Sequence, residues 1–116
     1  MACGIAYKIA EAADWAVMLE TGHYGGSALD RADGFIHLST PSQLDETARK
    51  HFAGQDDLVL VTVDLTVVLD ILKWEPSRNG DLFPHLYAEL PREAVLAQEA
   101  IRVDAAGFIV PQVDAA

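Results

Sequence analysis

The sequence is poor in two kinds of residue, cysteines and basic residues. Its 116 residues include a single cysteine, Cys3, so no disulfide can form within the chain, which fits a reducing compartment. Lysine and arginine together number 8 against 18 aspartates and glutamates, and the formal net charge is −10 with histidines neutral. This balance argues against duplex nucleic acid or an anionic membrane as a partner, because both are bound by basic faces.

Long apolar runs and familiar catalytic motifs are also missing. No run approaches the ~20 apolar residues of a membrane-spanning helix, and residues 1–8 lack the basic and then apolar regions of a signal peptide. We therefore expect a cytoplasmic protein with no membrane partner. The sequence has no G-x-S-x-G elbow, P-loop or Rossmann glycine motif. Its 4 histidines show no ligand-pair spacing, so we predict no metal site.

The length and composition that remain are those of one globular domain. Hydrophobic residues make up 51% of the chain and charged residues 22%, which is typical of a folded protein with its own core. We predict a single domain over residues 1–116. The weakly polar end, residues 111–116, is expected to fray.

The apolar pattern predicts a first helix and then a long loop. In residues 11–21, the side chains of Trp15, Met18 and Leu19 recur at the spacing of a buried helical stripe. Residues 22–34 follow with 4 glycines and no period. A loop of that length inside a compact domain is often functional.

A second helix is predicted over residues 41–53. Thr40 is the expected N-cap, and Gln43, three residues later, completes a capping box. An apolar stripe at four-residue intervals begins at Leu44 and marks the buried face. We therefore predict an α+β fold, with two main helices packed on a mixed or antiparallel sheet.

The strands of that sheet are predicted from the alternation of polar and apolar residues and from short apolar runs. Residues 58–64 are apolar on both faces at first, which places this strand centrally. Residues 94–103 carry both helical and strand signals, and we choose strand. The remaining strands are expected at residues 4–9, 35–39, 71–75 and 84–88.

The first candidate site segment lies at the junction of a strand and a capped helix. Strand alternation places His37 and Ser39 on one face, just before Thr40. A helix N-terminus offers free N–H groups to an anion. In the alternative interpretation, His37 is a half-buried strand residue with its hydrogen bonds satisfied. Thr40 already caps the helix in this interpretation, and the acidic residues that follow would repel an anion.

The second candidate segment is a hairpin whose second strand places Phe83, His85 and Tyr87 on one face. A histidine titrates near neutral pH and can move a proton. Glu75, on the first strand, could orient that histidine or stabilise a developing positive charge. In the alternative interpretation, this is a surface hairpin with packed aromatic side chains.

The turn of the hairpin holds Ser77 and Arg78. Arginine is suited to bidentate binding of a carboxylate or phosphate. Residues 73–92 contain three basic and three acidic residues, so the net charge of −10 is carried elsewhere. A small anionic ligand would meet the least repulsion at this hairpin.

Several of these segments together resemble a known family. The blocks are G-F-I-H-L-S-T at residues 34–40 and F-P-H-L-Y at residues 83–87, with Y-K-I from Tyr7 and W-E-P-S-R from Trp74. In combination they resemble the bacterial family catalogued as domain of unknown function nine-five-two, over about residues 7–95. That family has no established activity.

The family is in turn similar in organisation to the ADP-ribosyltransferase superfamily. This resemblance implies an ADP-ribosyltransferase-like fold, in which a split α/β sheet holds NAD between strand-borne His, Ser or Thr, and Glu residues. The chain departs from that pattern because no glutamate matches the late-strand motif, and Glu75 or Glu89 would be its stand-in. NAD or another nucleotide is therefore a candidate substrate, and transferase or hydrolase chemistry a candidate activity.

We predict a small enzyme that acts on a nucleotide or a phosphate-bearing metabolite. Two alternatives stay open: a non-catalytic module that binds a small ligand or regulates, and a protein-interaction module docked by the hairpin edge. The sequence leaves the oligomeric state open. The predicted catalytic residues are His37, Glu75 and His85, and the predicted ligand-binding residues are Lys8, Ser39, Thr40, Ser77, Arg78, Phe83 and Tyr87.

Overall fold

The computed structural model describes residues 4–76 and 80–112. The helices in this part of the chain are α1 (Ala12–Thr21), α2 (Ala28–Asp33) and α3 (Leu44–His51). The strands are β1 (Ile5–Glu11), β2 (His23–Tyr24), β3 (Ile36–His37), β4 (Leu58–Asp64), β5 (Leu72–Pro76), β6 (Leu82–Leu86), β7 (Leu90–Pro91), β8 (Val95–Val103) and β9 (Ile109–Pro111). Short 3₁₀ turns cover Leu65–Val67, Leu69–Ile71 and Arg92–Ala94.

The strands form a curled antiparallel sheet. One part has the order β1-β4-β8-β9 and another the order β3-β6-β5, while β2 pairs with β7. The first two parts meet at a single bridge between Tyr7 and Ser39, where each N–H donates to the other residue's carbonyl at 2.7 and 2.9 Å. Every strand pair in the described residues is antiparallel.

The sheet opens beyond that bridge. With Tyr7 opposite Ser39, an antiparallel ladder would place Ile9 opposite His37. Instead the N–H of His37 donates to a carboxylate oxygen of Asp30 at 3.2 Å. Because α2 inserts this carboxylate where β1 would have supplied a carbonyl, β1 and β3 separate and leave a cleft.

The core lies on both faces of β4, which confirms the predicted central strand. Val61 and Val63 pack in a cluster with Trp15 and Met18 of α1, and Leu58 packs in a second cluster beneath α3. Both clusters are nearly free of solvent contact. The predicted strand at residues 94–103 is also confirmed, as β8.

The apolar stripe of α1 is narrower than predicted. Trp15 and Met18 are each 2% exposed, whereas Leu19 is 61% exposed. The helix has only 10 residues and contacts the sheet along one line of side chains, so the prediction that Leu19 is buried was wrong.

Residues 22–34 are not the unstructured loop that the sequence predicted. They contain β2 and α2. Ser27 caps α2: its Oγ accepts the N–H of Asp30 at 3.2 Å, and the Asp30 carboxylate accepts the N–H of Ser27 at 2.9 Å. A helix of 6 residues is too short to show an apolar period, which is why the pattern missed it.

The second predicted helix, α3, begins later than expected. Residues 41–43 form a turn, and Gln43 is the N-cap of a helix that starts at Leu44. The Gln43 side chain accepts the N–H of Thr40 at 3.0 Å, while the Thr40 hydroxyl contacts Ser42 at 3.2 Å. The prediction of Thr40 as the N-cap was therefore wrong, although one half of the expected capping box is present.

Several other boundaries differ from the prediction: β1 covers Ile5–Glu11 rather than residues 4–9, and β6 covers Leu82–Leu86 rather than residues 84–88. The predicted strand at residues 35–39 is reduced to β3 and the bridge at Ser39, because the chain turns away from β1 there. Pro111, expected in a frayed tail, ends β9, and residues 113–116 lie outside the described residues. No helix in the described parts of the chain is both long and apolar enough to cross a bilayer.

Candidate functional site

The separation of β1 and β3 creates a cleft of about 400 Å³. That volume lies within the range of sites for small molecules. Polar side chains from three strands and apolar side chains from the helices face it. Its lining includes Lys8, Ile9, Glu11, Asp14, Leu29, Asp30, His37, Ser39, Leu44, Thr47, His51, Phe52, Phe83 and His85.

Asp30 connects three elements at this cleft and is only 2% exposed. Its Oδ2 lies 2.7 Å from Nζ of Lys8 on β1. Its Oδ1 lies 2.6 Å from Nδ1 of His37 on β3. The same carboxylate completes the cap of α2, so one side chain fixes the helix and both strands together.

Gly26 makes room for that carboxylate. Its φ is +98°, in the region that favours glycine, and a Cβ built there would lie 2.6 Å from the Cβ of Asp30. Any other residue would be strained and would also displace Asp30. The glycine just before the helix is therefore part of the site's construction.

Burial and charge compete at the Lys8–Asp30 pair. Burial by itself would raise the pKa of Asp30, but the hydrogen bond with His37 and the positive charge of Lys8 outweigh it and hold that pKa below its ordinary 3.8. Burial lowers the pKa of Lys8 below its ordinary value in spite of the attraction of Asp30. Because Asp30 compensates its charge, Lys8 is not an independent anchor for an anion.

His37 is held from both sides of its ring. Nδ1 contacts Asp30, and Nε2 lies 3.0 Å from Oδ2 of Asp33, the last residue of α2. A carboxylate only accepts hydrogen bonds, so both ring nitrogens donate when both contacts are made. In that arrangement neither ring nitrogen of His37 is left for a ligand at the rim of the cleft.

His85 is held from one side only. Its Nδ1 lies 2.8 Å from Oε1 of Glu75, and the hydroxyl of Tyr87 donates to the same oxygen at 2.6 Å. The bond from Tyr87, followed by that from His85, lowers the pKa of Glu75, and the bond to Glu75 raises the pKa of Tyr87. Nε2 of His85 has no hydrogen-bond partner among the described residues, and the residue lines the cleft.

The two histidines converge because of the pairing of β3 with β6. His37 stands opposite His85 in the register, and the ring centroids are 5.4 Å apart with an edge-to-face angle of 70°. The ring of Phe35 stacks on His85 at 4.1 Å and contacts Tyr87 at 5.3 Å. This aromatic packing fixes the orientation of the His85 ring.

The predicted binding residues are distributed unevenly. Lys8, Ser39 and Phe83 line the cleft, and Oγ of Ser39 lies 2.8 Å from the hydroxyl of Thr47. Glu75 and Tyr87 lie behind His85 rather than in the lining, and Thr40 is outside it. Ser77 and Arg78 lie outside the described residues, so the predicted arginine anchor stays a prediction.

Sequence reasoning missed Asp30, Asp33 and Phe35 as parts of the site. Asp30 did leave a signal, because Ser27-x-x-Asp30 has the spacing of a capping box. Phe35 was read as a strand residue without a role. In the described stretches, no group of three or more His, Cys, Asp or Glu side chains is arranged to hold a metal ion.

Comparison with known proteins places the chain in a family. Residues 9–98 match the family described as Protein of unknown function (DUF952). The chain belongs to this family. The match includes Asp30, both histidines and Glu75, and begins one residue after Lys8.

Solved structures share the fold of this DUF952 chain. A crystal structure of protein CC0527 from Caulobacter crescentus is 46% identical, with a TM-score of 0.84 and 93% of each chain covered. A solution NMR structure of CC0527 is 45% identical, with a TM-score of 0.78, and covers 95% of this chain and 93% of that one. No curated protein matches. The descriptions of CC0527 name no ligand and no activity, so no function is established by these comparisons.

Proposed function

We propose that the chain is a small enzyme that acts on a nucleotide or another phosphate-bearing metabolite, with His85 as the acid–base residue. One observation carries the proposal: Glu75 holds Nδ1 of His85 while the ring lines the cleft. This contact favours the tautomer that keeps hydrogen on Nδ1 and a lone pair on Nε2. Nε2 is then the atom that accepts a proton from the ligand.

Glu75 and Phe35 would support that proton transfer. The carboxylate of Glu75 stabilises the imidazolium that forms when Nε2 takes a proton, as carboxylates do in acid–base pairs. The stacked ring of Phe35 keeps the imidazole in place. His37, held between Asp30 and Asp33, would position the ligand rather than move a proton, because neither of its nitrogens is available.

The size and lining of the cleft support a nucleotide-sized ligand. A volume of about 400 Å³ admits a small heterocycle with part of its sugar, and the hydroxyls of Ser39 and Thr47 lie within the lining. The resemblance to ADP-ribosyltransferases makes NAD the first compound to test, for transfer or hydrolysis. A small-molecule ligand also suits a chain of charge −10 better than duplex nucleic acid does.

The test is binding followed by turnover. NAD, ADP-ribose and AMP are titrated into ¹⁵N-labelled protein, and each is then incubated with the enzyme and analysed by chromatography. We expect shifts at His37 and His85 and a product that appears about 10²–10⁴-fold more slowly with His85→Ala. Glu75→Gln, which changes a side chain at the back of His85, should slow turnover less and leave binding intact.

The control variant is His23→Ala, because His23 is exposed and outside the cleft. It should react like the wild type, and the melting temperature of every variant is measured so that unfolding is not mistaken for lost chemistry. Activity should also change near neutral pH. A profile that is flat from about pH 5 to pH 9 would exclude a histidine as the acid or base.

Unchanged ligand after long incubation, with shifts still mapping to the cleft, would favour the non-catalytic alternative. Absence of binding by all three compounds would remove the proposed ligand class.

A further inference from the structure

One edge of β1 faces the cleft through its backbone. Both backbone groups of Tyr7 bind Ser39 on the side of β1 away from β4. Alternate residues of an antiparallel strand direct their N–H and C=O groups to the same side. The N–H and C=O of Ile9 therefore point into the separation of β1 and β3, and so does the N–H of Glu11. In residues 4–76 and 80–112, nothing hydrogen-bonds to these three groups there.

The facing edge of β3 is also incomplete. The N–H of Leu38 donates to the carbonyl of Pro84 on β6 at 3.1 Å, so Leu38 faces β6 and His37 faces β1. The N–H of His37 is bound by Asp30, and its carbonyl has no partner within the described residues. The cleft is therefore a gap in the sheet with backbone donors and acceptors on its rims.

The helices on either side limit what can enter this gap. Leu29 of α2 lies on one side, and Leu44 and Phe52 lie on the side of α3. An extended peptide directs alternate side chains to opposite faces, and so toward the two apolar walls. The N–H and C=O of Ile9 and the N–H of Glu11 follow the two-residue repeat of a strand. The backbone of an extended peptide has the same repeat and can pair with all three groups.

Charge indicates what the peptide carries. Glu11 and Asp14 both line the cleft, and the chain as a whole has a net charge of −10. Lysine or arginine side chains near these two residues would be attracted by both carboxylates. Lys8 also lines the cleft, but its charge is compensated by Asp30 and it would not repel them.

We propose that the open edge of β1, from Ile9 to Glu11, binds an extended peptide with basic side chains, which adds as a short strand antiparallel to β1. This proposal is independent of the chemistry assigned to His85. It needs only the strand edge and the carboxylates of Glu11 and Asp14.

The first test is amide hydrogen exchange in the free protein. The amides of Lys8 and Ala10 face β4 and should exchange slowly, while those of Ile9 and Glu11 should exchange much faster. Equal protection of all four would show that the edge is closed and would overturn the proposal.

The second test uses a defined probe, the acetylated and amidated peptide Lys-Val-Lys-Val-Lys. On titration, the amides of Ile9 and Glu11 should shift and become protected. The same peptide N-methylated at its central residue should bind more weakly, since a backbone donor is lost. The peptide Glu-Val-Glu-Val-Glu should also bind more weakly because it meets Glu11 and Asp14.

The variant test isolates one backbone N–H. Glu11 has φ −69° and its side chain is exposed, so Glu11→Pro fits the local backbone and removes the N–H. Glu11→Ala, the matched control, loses the same carboxylate but keeps the N–H. We expect the proline variant to bind the peptide roughly three- to tenfold more weakly than the alanine variant. Equal affinities would overturn strand addition.

A small amide is the competing occupant. If nicotinamide or uracil protects the amide of Ile9 and the peptide does not, the edge binds a small molecule and the peptide proposal is wrong. Peptide binding that persists in His85→Ala while turnover is lost would separate the two proposals. Failure of the nucleotide panel alone would leave the peptide result intact.

Discussion

The two histidines at the cleft face each other across one strand pair but are held differently. His37 lies between Asp30 and Asp33, and each of its ring nitrogens contacts a carboxylate. His85 is bound at Nδ1 by Glu75, and its ring has no second hydrogen-bond partner among the described residues. The first arrangement leaves neither ring nitrogen for a ligand, whereas the second orients the ring and leaves one nitrogen for a ligand.

The number of carboxylates around a histidine therefore matters more than the place of that histidine in a sequence motif. Both residues belong to conspicuous sequence blocks and both lie in strands. Only the carboxylates that the fold delivers distinguish a positioning role from an acid–base role. On the His37 side the decisive carboxylate is buried, and on the His85 side it is partly exposed, with 35% of the Glu75 side chain in contact with solvent.

The largest expected effect comes from removing the buried carboxylate. Asp30→Asn leaves the ammonium of Lys8 buried without a compensating charge, and we expect it to lower the free energy of unfolding by about 3–5 kcal/mol. Urea denaturation measures the change. Asp33→Asn is the control: its side chain is 43% exposed, so the loss should stay below about 1 kcal/mol. Equal losses of unfolding free energy in the two variants would show that Asp30 and Asp33 contribute equally to stability, in spite of their different burial.

A smaller effect is expected from pH. Because the folded protein holds the pKa of Asp30 below its ordinary 3.8, ionised Asp30 stabilises the fold above that value, and the contribution is lost as the pH falls below it, at about 1.4 kcal/mol per unit at most. The difference in unfolding free energy between the wild type and Asp30→Asn should therefore narrow from about pH 6 to about pH 3. A difference that stays constant would contradict the charge argument.

The smallest effect is expected on the His85 side. Tyr87→Phe removes the hydrogen bond to Glu75 but keeps the ring beside Phe35, and we expect only a slight loss of stability because this bond is exposed to solvent. The pKa of Glu75 should rise toward its ordinary value, since the bond from Tyr87 is the main cause of its lowering. A ¹³C titration of the Glu75 carboxyl group measures this shift. An unmoved titration would mean that His85 alone sets the charge of Glu75.

Much of the scaffold could be predicted because it rests on local patterns. The apolar run of β4 and the alternation of β6 each depend on a few neighbouring residues. The strand β8 was a choice between competing signals, and its pairing with β4 decided it. The errors fall where the pattern is short: α2 has 6 residues, and α3 begins after a turn that resembles a cap.

The site was predicted in part. The alternation of β6 indicated that Phe83 and His85 share a face, and both line the cleft. Asp30 was missed because its role depends on Lys8, 22 positions earlier in the chain, and on the absence of a Cβ at Gly26. The contact between Asp30 and Lys8 and the space at Gly26 exist only when β1, α2 and β3 are packed together.

Residue types and short-range periodicity are enough to predict the acidic composition, the central strand, the hairpin and the blocks that carry both histidines. Other features arise from tertiary packing alone: β1 and β3 separate, Asp30 fills the place of a strand carbonyl, and His37 is held from two sides and His85 from one. These features depend on distances between segments far apart in the chain. Because the groups are buried, their charges and hydrogen bonds depend on those distances, which cannot be read from residue identity alone.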